Sequence, residues 1–127
     1  MARGLLPLGI GLGDNLLNPS ESENPKGYWE DVDLMFLSEK VLASLGRQWE
    51  SVTPLLERDF SSAENSDLVE EAATLISKKM AGSRNWGFKN PRTGPLIPFW
   101  RRVFQALGID VKYLVTVRNP INVARSL

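Results

Sequence analysis

The 127-residue sequence contains no cysteine and no histidine. The first absence removes disulfides, thiolate metal sites and cysteine nucleophiles. The second removes histidine-bound zinc and any Ser–His–Asp triad, so a general base has to be a carboxylate, a lysine, a tyrosine or a group from elsewhere. Net charge is lacking too: fifteen Lys+Arg balance fifteen Asp+Glu. The overall field therefore predicts neither nucleic-acid binding nor attachment to an anionic membrane, and an anion site has to be a local cluster. No apolar run approaches the length of a membrane span. Met1 to Gly13 carries one basic residue and an apolar stretch broken by Pro7 and glycines. Without a small-x-small site before Asp14 it fits a signal peptide poorly, and a cytoplasmic chain is expected.

What remains is an ordinary globular composition, 43% hydrophobic over 127 residues. That length suits one domain, and such a chain buries roughly two thirds of its unfolded surface. Residues 18–27 form a polar connection with two prolines, but Tyr28 and Trp29 follow at once and tie it to the core. From Asp31 the period is helical: Leu34, Leu37, Val41, Leu42 and Leu45 form one stripe, and Gly46 stops it. Residues 47–65 are mixed, a short helix or ordered loop interrupted by Pro54. A second helix is expected from Ser66 as its cap, with Leu68, Ala72, Leu75, Ile76 and Lys79 on one side and Gly82 after it. A third begins near Pro98, carries Trp100, Val103, Phe104 and Leu107, and ends at Gly108.

Two strands are expected. Residues 86–89, Trp-Gly-Phe-Lys, are too short for a helix. Residues 112–117, Lys-Tyr-Leu-Val-Thr-Val, are β-branched and apolar on both faces, the composition of a buried parallel strand. Asn119 and Pro120 then suit the cap and first residue of a helix. The resulting β-α-β-α order predicts an α/β fold with a parallel sheet. Ligands of such sheets bind beyond the carboxyl ends of the strands. Those ends carry Lys89, Arg92 and Arg118, with Ser126 about two turns further along, a grouping suited to phosphate. Each of these residues taken singly is more often a solvated loop charge or helix-surface group; the grouping is what points to a site. Gly9-x-Gly11-x-Gly13 lacks a preceding strand and is not read as a nucleotide loop. Glu30, Asp31 and Asp33 are dense enough for a metal but begin a helix, where acids cap, so no metal is expected.

Several stretches resemble the bacterial branch of the sulfotransferase family. They are Leu8 to Leu17, Asn24 to Asp31, Gly87 to Arg92, Pro95 to Phe104 and Tyr113 to Leu127, with Arg118-Asn-Pro-x-x-x-x-x-Ser126 the most specific. The resemblance implies a single domain over residues 1–127: a partial three-layer, parallel-sheet core of the P-loop nucleotide-kinase type. It implies transfer of a sulfuryl group from 3′-phosphoadenosine 5′-phosphosulfate (PAPS) to a hydroxyl or amine of a sugar, lipid or small molecule. Arg118 and Ser126 would bind the 3′-phosphate of this co-substrate. Lys89 and Arg92 would stand near the transferring group, and the acceptor near residues 24–31. The family's usual first strand and His-Arg-Ser-Gly-Thr-Ser loop have no counterpart here, and position 90 is Asn where the bacterial motif has Asp. Without that loop the chain is an enzyme core that is incomplete alone, or a non-catalytic module that binds a nucleotide or a protein. Without that strand, residues 112–117 would lack a neighbour and form an uncovered sheet edge, for which a homodimer is the expected remedy.

Overall fold

A computed structural model describes residues 2–22, 24–83, 85–117 and 119–125. The stripe Leu34, Leu37, Val41 and Leu42 is the buried side of α1 (Val32–Ser44). Asp31 caps it: its Oδ1 accepts from the N–H of Asp33 at 3.1 Å and of Leu34 at 3.3 Å. The helix closes with Gly46 N–H on Ala43 O and Arg47 N–H on Leu42 O, and Gly46 takes a φ of +64° that few residues other than glycine adopt.

Helix α2 (Ala63–Met80) begins earlier than the expected Ser66. Ser62 is the cap, its Oγ accepting from the Asn65 N–H at 3.2 Å and from Asn65 Nδ2 at 2.8 Å. Asn65 is thereby buried in the first turn, where Ser66 already lies inside the helix. Helix α3 (Ile97–Leu107) carries Pro98 in its first turn and ends at Gly108, as the sequence predicts. Helix α4 (Pro120–Ala124) is short, and Asn119 Oδ1 accepts from the Ile121 N–H at 2.9 Å.

Helix α2 packs against both α1 and α3, and the turn at 57–60 lies on α3. Their shared core is Leu34, Val41, Phe60, Leu68, Ile76, Leu96, Phe99, Trp100 and Val103, all buried. Burial of each large side chain stabilises by about 1.5–3 kcal/mol, so this helix-on-helix contact holds the fold. An aromatic run crosses it: Trp100 lies 5.0 Å from Phe88, 5.3 Å edge-on from Phe99 and 6.0 Å from Phe104, between ring centroids.

The expected parallel-sheet core of P-loop type is overturned. Among the described residues there is no strand, only isolated bridges: Gly11 with Trp86 (parallel), Leu16 with Asp31, and Ser20 with Asn24. Residues 86–89 therefore reduce to one bridge, and residues 112–117 are unpaired and exposed. The reason is physical. Strand composition becomes a strand only when a second backbone completes the ladder, and an unpartnered pair of short segments cannot supply one. The fold is instead helix-rich, and the segment before α1 is tied to it at Gly11, which bridges to Trp86, and at Asp14, which meets Lys79 on α2. Among the described residues no helix is long and apolar enough to cross a membrane.

Candidate functional site

The segment after the Trp86 bridge is held from both sides. Gly87 N–H donates to Gly11 O at 2.9 Å, and the Phe88 ring packs at a tilt against the buried Trp100. Asn90 fastens the other side. Its Nδ2 donates to Ser38 Oγ at 3.0 Å and Leu34 O at 3.4 Å on α1, and its Oδ1 accepts from Arg92 N–H at 3.0 Å. Asn90 is buried. The amide thus does what a carboxylate could not, since only an amide both donates to α1 and accepts from Arg92. Asn90→Asp is expected to destabilise the chain by about 1–3 kcal/mol, through the lost donor and a buried charge. A urea midpoint equal to that of the wild type would show that the two bonds to α1 contribute nothing.

Lys89 and Arg92, held in this way, converge on Glu30. Lys89 Nζ donates to Glu30 Oε1 and, at 3.3 Å, to Tyr28 O. Arg92 Nη1 lies 3.9 Å from Glu30 Oε2, and its Nη2 donates to Glu39 Oε1 at 2.6 Å. The Glu30 carboxylate is buried, whereas the Lys89 side chain is 43% exposed. Two cations thus meet two carboxylates, with Lys89 and Glu39 open to solvent and Glu30 and Arg92 held inside. The guanidinium of Arg92 also lies 5.9 Å from the Trp49 ring centroid. There it borders a groove of about 470 Å³ walled by Trp49, Val52, Pro54, Leu55, Pro95 and Pro98.

Of the four site residues expected from the sequence, the structure brings Lys89 and Arg92 together. Arg118 and Ser126 lie outside the described residues. Glu30 is the member that sequence reading misses, because it stands beside Asp31 and Asp33 and passes for a helix-start acid. Glu30 parts from the other two: Asp31 caps α1 and, with Asp33, meets Lys79, whereas Glu30, one position before the cap, turns toward Lys89.

Lys79 makes a second polar centre. Its Nζ donates to Asp14 Oδ1 at 2.7 Å, Asp31 Oδ2 at 2.8 Å and Asp33 Oδ2 at 2.7 Å, which uses all three ammonium protons. Burial works against the charge, but the three carboxylate hydrogen bonds outweigh it and hold the Lys79 pKa above its ordinary value. The Lys79 hydrogen bond in turn holds Asp14 and Asp33 below the usual carboxylate range. The three carboxylates lie within 4.8 Å of one another, close enough to share a cation, and the ammonium is the cation they share. Gly13, at φ +112°, lies against this centre, and a Cβ there would overlap the Asp31 carboxylate. Gly13 therefore makes room for the Asp31–Lys79 ion pair.

Comparison with protein-family models, with curated proteins and with solved structures returned no match.

Proposed function

We propose that this chain is a sulfuryl-transfer domain that takes PAPS as donor and a hydroxyl or amine as acceptor. The observation that carries the reading is the Lys89–Glu30 pair, a solvent-facing ammonium joined to a buried carboxylate. In this reading the acceptor oxygen or nitrogen forms the new bond to sulfur as the bond from sulfur to the phosphate oxygen breaks. Glu30 takes the acceptor proton, and Lys89 hydrogen-bonds the sulfuryl oxygens, where a preorganised cation lowers the barrier. Arg92 holds Glu30 and borders the groove at Trp49, whose apolar walls suit an acceptor with an apolar portion. Arg118 and Ser126 bind the 3′-phosphate by the sequence resemblance alone.

Calorimetry with adenosine 3′,5′-bisphosphate tests the nucleotide half. Arg118→Ala should weaken binding by about 1.5–3 kcal/mol, the scale of a charged hydrogen bond, while adenosine 5′-phosphate is nearly indifferent. Equal losses for both ligands would sink the assignment. Glu30→Gln tests the chemical half. Transfer from radiolabelled PAPS to a hydroxyl acceptor should fall about a hundredfold with bisphosphate affinity kept.

One observation favours a non-catalytic binding module instead. Lys89 and Arg92 are already matched by Glu30 and Glu39, so the centre is electrically balanced before any ligand arrives. Bisphosphate binding with no transfer to any acceptor would select that reading.

A further inference from the structure

Residues 112–117 combine strand composition with solvent exposure. Tyr113, Leu114, Val115 and Val117 are between 51% and 89% exposed. Among the described residues no backbone hydrogen bond reaches residues 112–117. Such a run leaves its N–H and C=O groups to water and offers them, with a contiguous apolar surface, to another strand.

The order of residues says which strand fits. Turned antiparallel about Leu114, the segment is complementary to itself. Tyr113 falls opposite Val115, Val111 opposite Val117, and Lys112 opposite Thr116. Asp110 falls opposite position 118, an arginine in the sequence. Aromatic–β-branched and opposite-charge pairs of this kind stabilise antiparallel strands. Positions 111, 113, 115 and 117 share one wholly apolar face, while the other face of the paired ribbon carries the apolar Leu114 between Lys112 and Thr116. A parallel, in-register pairing would set Lys112 on Lys112 and Asp110 on Asp110. The ion pair between Lys112 and Asp110 within one copy, 3.2 Å long, is fully at the surface and costs little to exchange.

We propose that residues 111–117 are a self-pairing segment, through which two copies of this chain associate as an antiparallel ribbon with its two-fold axis at Leu114. The inference is independent of the sulfuryl-transfer reading. It commits to one register, and the register is what the experiment reads.

The chain has no cysteine, so each single-cysteine variant carries one thiol. At the two-fold axis, facing Cα atoms stand about 4.5–5.5 Å apart, within reach of a disulfide. Leu114→Cys should therefore cross-link to a covalent dimer under mild oxidant. Val117→Cys should not, although position 117 is the more exposed, because its partner in the other copy is Val111. The expected excess is at least about tenfold in cross-linked fraction. Val115→Lys should abolish association in light scattering while far-UV circular dichroism keeps the helical signal, since the substitution touches no core residue. Three results would each overturn the proposal: a monodisperse monomer at every concentration, equal cross-linking at 114 and 117, or association unchanged in Val115→Lys.

Discussion

Lys79→Ala is expected to destabilise the chain by about 3–5 kcal/mol, the cost of breaking a buried ion pair from one side. The direction follows from what is left behind. Asp31 is fully buried, and among the described residues Lys79 is the one charge that meets its Oδ2. Its Oδ1 is occupied by the two N–H groups of the α1 cap. With the ammonium gone, the buried Asp31 loses the cation on Oδ2 and is left with its cap bonds, crowded by the Asp14 and Asp33 carboxylates. Domains are stable by about 5–15 kcal/mol, so the loss should be plain in the denaturant midpoint. Lys79→Ala combined with Asp31→Asn should recover most of it. An asparagine oxygen still caps α1, and the orphaned charge is gone. Additive losses in the double variant would show that the two side chains are not coupled.

The same centre sets a pH dependence whose sign can be worked out. Asp14 and Asp33 have folded pKa values below the ordinary 3.8, so they stabilise the fold above that value. That contribution is lost as pH falls through their lower folded values. Both are at least partly exposed, and solvent keeps their share small. Lys79 runs the other way. Its folded pKa is raised above 10.5, so its contribution is complete below that pH and disappears only in stronger alkali. Stability should be level across neutral pH and fall below about pH 4, with a shallower acid limb in the Lys79→Ala, Asp31→Asn variant. An unchanged acid limb would remove Lys79 as its cause.

The helices are legible in the sequence because their signal is internal. Leu34, Leu37, Val41 and Leu42 lie on one face whatever surrounds them, and α1 and α3 begin and end within about two residues of expectation. The start of α2 is less legible. Ser62 and Ser66 both suit a cap, and Asn65 hides the first turn by placing a polar residue on the buried side. Residues 112–117 mislead for a different reason. Their composition describes a surface that fits a pleated sheet, but a strand is a relation between two segments, and composition reports only one. The site divides in the same way. Lys89 and Arg92 are visible as neighbouring cations, whereas Glu30 meets Lys89 across 59 residues of sequence. Lys79 did leave a trace, a lysine on the apolar side of α2, and a buried lysine requires carboxylate partners.

Trp100→Ala is expected to cost about 3–5 kcal/mol, and Trp100→Phe less than half of that. Trp100 is completely buried, and it is where the rings of Phe88, Phe99 and Phe104 meet. Truncation to alanine forfeits these contacts and leaves a cavity that helices α2 and α3 can close only by shifting together. Phenylalanine keeps one ring in the run. It also removes the indole Nε1 proton, which is buried with no partner among the described residues and so carries a desolvation cost. That relief offsets part of the lost volume. The effect should reach the site as well, because Phe88 rests on Trp100 and Lys89 follows Phe88 directly. Under conditions where Trp100→Ala is still folded, Lys89 should lose its fixed position beside Glu30, and sulfuryl transfer should slow in that variant more than in Trp100→Phe. Equal losses of stability for alanine and phenylalanine would show that the indole's size beyond one ring, and not the aromatic run, is what the core requires.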